Sequence, residues 1–228
     1  MHLDIQYSSA TNDWPVLRDA VRRAEHDGYD TAWVFDHFDG STLNGDRPFL
    51  ECFTLLGAMA AATSTIGIGP LVANVANRHP TVLAHAAAAV QRISGGRLRL
   101  GIGAGTAPGT RWATEHERRG IPLLPTMAER HAAVLASIAA VRDASDAPIV
   151  VGVNSPALAE LAGQHADGVN VRLDHPRAAE LCAVARATAG ERPFEVSVYS
   201  LGERNEAEPA ARALRADRLV LTRLGALS

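Results

Sequence analysis

The chain has no lysine. Its 22 Lys+Arg residues are all arginine, so an imine between a protein ε-amine and a carbonyl substrate is excluded. Cysteine is almost as scarce. Cys52 and Cys182 lie far apart in apolar helical patterns, which reads as two buried thiols rather than a redox pair or a disulfide framework. No Cys or His spacing suits a zinc ion, so no metal site is expected. The formal net charge of −3 offers no field to recruit nucleic acid. No apolar run reaches the ~20 residues that cross a bilayer, and no basic-then-apolar leader opens the chain, so no membrane contact and a cytoplasmic location are expected. The nucleophile elbow GxSxG, the P-loop and a complete GxGxxG before a helix are all missing; GIGAG at 101–105 lacks the third glycine and an acidic partner. No pair of carboxylates is placed for glycoside chemistry.

What is present is ordinary for a globular protein: 228 residues, 47% hydrophobic and 21% charged, enough for one large α/β domain or two small ones. The organising stretch is 66–105, IGIGPLVANVANRHPTVLAHAAAAVQRISGGRLRLGIGAG. It reads as a short apolar strand, a polar loop, an Ala-rich helix opened by Pro80 and stopped by Gly95-Gly96, and a second apolar strand. That is a parallel βαβ unit. Gly69-Pro70 sits inside its first strand, where a central strand normally excludes proline; a bulge or a cis X-Pro bond would accommodate it.

The same alternation runs along the chain. Strands are expected at 3–7, 31–35, 66–72, 97–103, 148–153, 168–173, 194–199 and 218–221. The helices between them fall at 14–26, 49–63, 81–93, 127–142, 156–165, 176–188 and 207–216. The segment 40–48 reads as a loop suited to a mobile lid, and 106–125 as a long mixed loop. Eight strands and seven helices predict a lean (β/α)8 TIM barrel, one domain over 1–228, without its eighth helix. A doubly wound open sheet is the alternative, because alternation does not prove closure.

Ligands of such folds bind at the carboxyl ends of the strands. That places Asp36-His37 foremost. A histidine there can move a proton near neutral pH, with Asp36 orienting it or raising its pKa; equally, His37 could merely cap a loop. Val72, Asn74, Gly103, Gly105 and Thr106 fall at other strand ends. Gly152-Val153-Asn154-Ser155 precedes a helix starting at Pro156, either an oxyanion cradle at a helix N-terminus or a plain capped turn. Arg78-His79, in the loop after the third strand, could bind a ligand's tail but reads first as a solvated loop charge.

The phrase ISGGRLRLGIGAG, with WVFDHF at 33–38 and Gly69-Pro70, resembles the luciferase-like monooxygenase family over about Gly28 to Asn170. That resemblance implies a closed barrel and an oxidoreductase acting on a small-molecule substrate. The F420-dependent branch is the nearer match, so coenzyme F420 is the implied cofactor, with reduced FMN and oxygen as the alternative. It implies that His37 is catalytic beside Asp36. It also implies that Gly69-Pro70 backs the middle ring of the cofactor, and that 152–155 holds its phosphate. Val153 and Asn154 stand where the family usually has glycine, Thr106-Ala107-Pro108-Gly109 departs from the family after the GAG, and the usual excursions are cut to 143–147 and 202–206. A non-catalytic flavin-binding barrel is therefore the third reading. The helices at 49–63 and 81–93 are apolar nearly all round, which predicts a two-fold homodimer through them.

Overall fold

The computed structural model describes residues 1–40 and 48–227. The expected lid therefore falls largely outside the described residues. The chain order is β1 (His2–Tyr7), α1 (Trp14–His26), β2 (Thr31–Val34), α2 (Cys52–Ala62), β3 (Gly67–Pro70), β4 (Ala73–Asn74), α3 (Pro80–Ile93), β5 (Leu100–Gly103) and α4 (Thr114–Glu117). There follow α5 (Met127–Ala144), β6 (Ile149–Val153), α6 (Pro156–His165), β7 (Gly168–Arg172), α7 (Ala178–Ala189), β8 (Glu195–Ser200), α8 (Arg204–Ala213) and β9 (Arg218–Arg223).

All strand pairs are parallel, in the order β3-β2-β1-β9-β8-β7-β6-β5-β4. The two ends of this sheet, β3 and β4, are halves of one barrel strand. A bridge between Ile68 and Leu98 joins β3 to the run entering β5, so the sheet closes on itself. The architecture is a (β/α)8 TIM barrel whose third strand is broken, and no helix follows β9 among the described residues.

The break is where sequence and structure differ most. The cis peptide is Leu71–Val72, not Gly69–Pro70. Pro70 stays in β3, opposite Val34, and needs no donor there because Leu71 N–H supplies the next bond to Val34 O at 2.8 Å. Gly69 is required by close approach: a Cβ on it would stand 1.9 Å from Arg99 O. Both residues are spent on packing β3 between β2 and β5, below the cavity described next.

Other boundaries moved for local reasons. α2 begins at Cys52 rather than Phe49 because Glu51 caps it, accepting the Thr54 amide at 2.7 Å. α8 begins at Arg204, ahead of the apolar residues that suggested a start at Ala207. The 106–125 loop contains α4.

The main core lies between sheet and helices. Leu17, Leu56, Leu83, Ile102, Ile149 and Leu181 are each at most 2% exposed. α2 buries Phe53, Leu55, Leu56 and Met59 within this chain, so much of its apolar circumference is covered without a partner. Inside the barrel, Trp33, Leu71 and Val220 pack together. Beneath them Asp4 accepts Trp33 Nε1–H at 2.8 Å and Arg218 Nη1–H at 2.5 Å, and Arg218 continues to Glu195 at 3.2 Å. Burial pushes Asp4 up to about 6 against the pull of Arg218. This charged plug fills the amino-terminal end, leaving the carboxyl-terminal end open.

Candidate active site

Asp36 and His37 leave β2 toward that open end. Successive residues on an extended segment face opposite sides, so the two carry different partners. Asp36 is 5% exposed and accepts from Asn74 N–H at 2.9 Å and from Arg78 Nη1–H at 2.7 Å. Arg78 also bonds Glu51 and lies over the Phe53 ring at 4.8 Å. It is a half-buried tie between β2, β4 and α2, not a solvated loop charge.

His37 is paired with Glu115, not with Asp36. Its Nδ1 is 2.6 Å from Glu115 Oε1, and the other carboxylate oxygen takes the amides of Phe38 at 2.7 Å and Asp39 at 3.3 Å. Glu115 is 1% exposed. Burial alone would push its pKa up, but the His37 hydrogen bond and charge, with those two amides, bring it below the usual glutamate value. A carboxylate only accepts, so His37 Nδ1 donates to it and Nε2 is the nitrogen without that bond. Arg119 pins α4 in place, bonding Asp39 at 3.0 Å and Glu115 O at 2.8 Å.

A second histidine closes the web. His116 Nε2 is 2.7 Å from Asn77 Oδ1 and 3.3 Å from Asn74 Nδ2, and Asn77 Nδ2–H donates to Asp36 O at 3.0 Å. Burial pulls the His116 pKa below the usual histidine value against the opposing pull of Glu115, and its Nδ1 has no hydrogen-bond partner. Phe35, Phe49 and Trp112 flank His37 with ring centroids 6.2, 5.8 and 6.3 Å away.

These groups border a cavity of about 660 Å³ at the carboxyl ends of the strands. Of the candidate site residues, Asp36, His37, Val72, Asn74, Gly103, Gly105, Thr106, Gly152, Val153 and Asn154 line it. Gly69 and Pro70 do not, for the packing reason given above. Ser155 does not either: its hydroxyl caps α6, accepting Leu158 N–H at 3.4 Å. The glycines have a cause that the sequence did not suggest. A Cβ on Gly103 would stand 2.3 Å from Val72 Cγ2, and one on Gly152 2.9 Å from Val72 Cγ1. The broken third strand pushes Val72 into the barrel mouth, and its neighbours on β5 and β6 must be bare to receive it.

Glu115 and His116 were missed from the sequence, where 106–125 reads as a loop. A contact across 78 residues between a strand end and a four-residue helix carries no periodic signal.

The luciferase-like monooxygenase family model matches residues 1–216, and the chain belongs to that family. It is 28% identical over 235 aligned positions to a 5,10-methylenetetrahydromethanopterin reductase of Methanolobus tindarius, covering 91% of this chain and 67% of that one. It is 29% identical over 177 positions to an F420-dependent glucose-6-phosphate dehydrogenase of Nakamurella multipartita, covering 67% of this chain and 50% of that one. The chain thus spans between half and two thirds of the length of these relatives. Among solved structures, an F420-dependent secondary alcohol dehydrogenase in complex with an F420-acetone adduct superposes with a TM-score of 0.71 at 20% identity, over 93% of this chain and 74% of that one. At that identity the likeness establishes the fold.

Proposed function

We propose that the chain is an F420-dependent oxidoreductase, with His37 as the group that takes up or returns the proton accompanying hydride transfer to or from a small organic substrate. The observation that carries this reading is the His37–Glu115 pair standing at the edge of a cavity otherwise free of unpaired carboxylates among the described residues. The names of the two F420-dependent relatives support it.

The residues present suit such a cofactor. About 660 Å³ is within the roughly 300–1,000 Å³ typical of ligand pockets. Phe35, Leu71 and Val72 offer apolar surface to a planar ring, while Asn74 and Asn170 offer amides to its polar edges. Bound there, a deazaflavin supplies hydride donation or acceptance at C5, without the ready oxygen activation of a flavin.

The protein's own groups have separable parts in this reading. Val72, Asn74, Gly103, Gly105, Thr106, Gly152, Val153 and Asn154 hold the cofactor. His37 Nε2 holds or gives up the proton. Glu115 keeps Nδ1 protonated and compensates the charge when the ring becomes an imidazolium. Asp36, committed to Arg78 and Asn74, is a positioning residue. Equilibrium titration tests the reading: F420 should bind more tightly than FMN. Tighter FMN binding, or protein that purifies yellow with FMN, would sink it.

The reading includes a homodimer through α2 and α3. On α3, Val82 and Ile93 are 55% and 57% exposed, and α2 shows a small-residue face at Ala61. Together they form a surface on which two helix pairs can approach closely.

A further inference from the structure

α4 is a single turn, Thr114–Glu117, and one turn has no stability of its own. Side chains must hold it against the end of β2. Arg119 does so from outside: it is 35% exposed and bonds Asp39 at 3.0 Å, where water and salt weaken an ion pair. His116 does so from inside. It is 0% exposed, its ring edge-on to Phe38 with centroids 5.6 Å apart. Burying an imidazole there has a cost, because Nδ1 is left without a hydrogen-bond partner; Glu115 Oε1, 4.0 Å away, is out of reach. A phenylalanine would fill similar space with no orphan atom. What sets His116 apart from such a ring is its Nε2.

The surrounding bonds fix what Nε2 carries. Asp36 O only accepts, so the Asn77 group that meets it at 3.0 Å is Nδ2–H, and Oδ1 is the end turned to His116. Oδ1 accepts in turn, so His116 Nε2–H donates to it at 2.7 Å. Asn74 is oriented the same way: its Oδ1 takes the Ala76 amide at 2.9 Å, which leaves Nδ2 toward His116 at 3.3 Å. Two donors make no hydrogen bond, so that contact adds nothing to the tie. Nε2–H is present whether the ring is neutral or charged, so the bond to Asn77 survives both states. The bonds then run in a closed circuit. His37 Nδ1 meets Glu115 at 2.6 Å, Glu115 adjoins His116 in the chain, and His116 reaches Asn77. Asn77 returns to the carbonyl of Asp36, the residue before His37.

We propose that His116 is a positioning residue for His37. Its Nε2–H, through Asn77, sets the spacing between α4 and the end of β2, and so keeps the Glu115 carboxylate on His37 Nδ1. Without it the carboxylate and the imidazole of His37 lose their common reference, the backbone of Asp36. The part this plays in moving a proton rests on the proposed function; the docking of Glu115 does not.

The test compares the wild-type chain with H116F and H116Q, each checked by thermal unfolding for an intact fold. H116F keeps an aromatic ring beside Phe38 and removes the donor. H116Q puts an amide N–H close to where Nε2–H stands. The first readout is hydrogen exchange of the Phe38 and Asp39 amides, which donate to Glu115 Oε2 at 2.7 and 3.3 Å and need neither cofactor nor substrate. H116F should exchange them ~10-fold faster, as loss of one buried hydrogen bond implies, and H116Q should restore most of the protection. The second readout is kinetic. H116F should lower kcat by ~10–100-fold with F420 affinity little changed, and H116Q should recover most of that loss. Amides protected equally in wild type and H116F would overturn the proposal. Equal exposure in H116F and H116Q would overturn it too, since the donor would then be irrelevant. Turnover in H116F equal to wild type, despite lost protection, would overturn the positioning role. Failure of F420 to bind any of the three proteins, with the exchange pattern as expected, would retain the docking of Glu115 and refute the cofactor reading.

Discussion

Gly103→Ala isolates the packing that shapes the cavity floor. The new Cβ would stand 2.3 Å from Val72 Cγ2 and 3.9 Å from Ala73 O. The other Val72 methyl, Cγ1, lies against the second bare glycine, Gly152, where a Cβ would stand 2.9 Å away. Relieving the new contact must move Val72 or the backbone, and overpacking of this kind costs ~1–3 kcal/mol. For a domain of this size each kcal/mol moves Tm by ~2–4 °C, so a fall of about 2–12 °C is expected. Val72→Ala removes both offending methyls. By itself it should cost about 1 kcal/mol, since Val72 is only half buried. The double variant should then match Val72→Ala, a favourable coupling of ~1–3 kcal/mol. Urea and thermal unfolding followed by circular dichroism, on all four proteins, measure this cycle. Additive losses would mean that the glycine at 103 is not there to receive Val72, and the account of the cavity floor would fail.

Replacing His37 with Ala should lower turnover by ~10²–10⁴ with little change in cofactor affinity; unaltered turnover with the true substrate would reduce His37 to a loop residue. Glu115→Gln should lower turnover too, because the carboxylate that takes the His37 Nδ1 hydrogen is gone; unchanged turnover would detach Glu115 from the work of His37. Glu25 accepts the amides of Ser64, Thr65 and Ile66 at 2.8, 2.6 and 3.1 Å. Burial opposes its ionisation, but those bonds outweigh it and bring its pKa down to about 2 from 4.5. Its contribution is therefore present above pH 4.5 and lost as pH falls toward 2, so Glu25→Gln should flatten acid unfolding within that window; an unchanged acid limb would contradict it. Light scattering at micromolar concentration should report a dimer, and a charged residue at Ala61 or Ala88 should dissociate or precipitate it; a well-behaved wild-type monomer would reject the α2–α3 interface.

Much of the barrel was legible from short-range patterns. The 3.6-residue and two-residue periodicities mark the major helices and the barrel strands, and Pro80, Pro156 and Gly95-Gly96 punctuate them through the conformations they allow. Asp36-His37 could be picked out because a strand end delivers side chains to one face of a barrel. The boundaries that slipped, at α2 and α8, did so where a capping or opening residue is polar and breaks the apolar pattern used to find the helix.

What the linear order determined by itself was this succession of elements, and with it which residues sit at the carboxyl-terminal rim. Local propensity and alternating burial are properties of neighbours, and neighbours are what a sequence displays. Only the tertiary structure decided the pairings. His37 meets Glu115 because α4 folds back over the end of β2, and Asp36 turns instead to Arg78 and Asn74. Gly103 and Gly152 are bare because a break in a strand distant in the chain lowers Val72 between them. Such contacts join segments whose separation leaves no periodic trace, and their energy comes from packing and charge compensation that exist only once the barrel has closed.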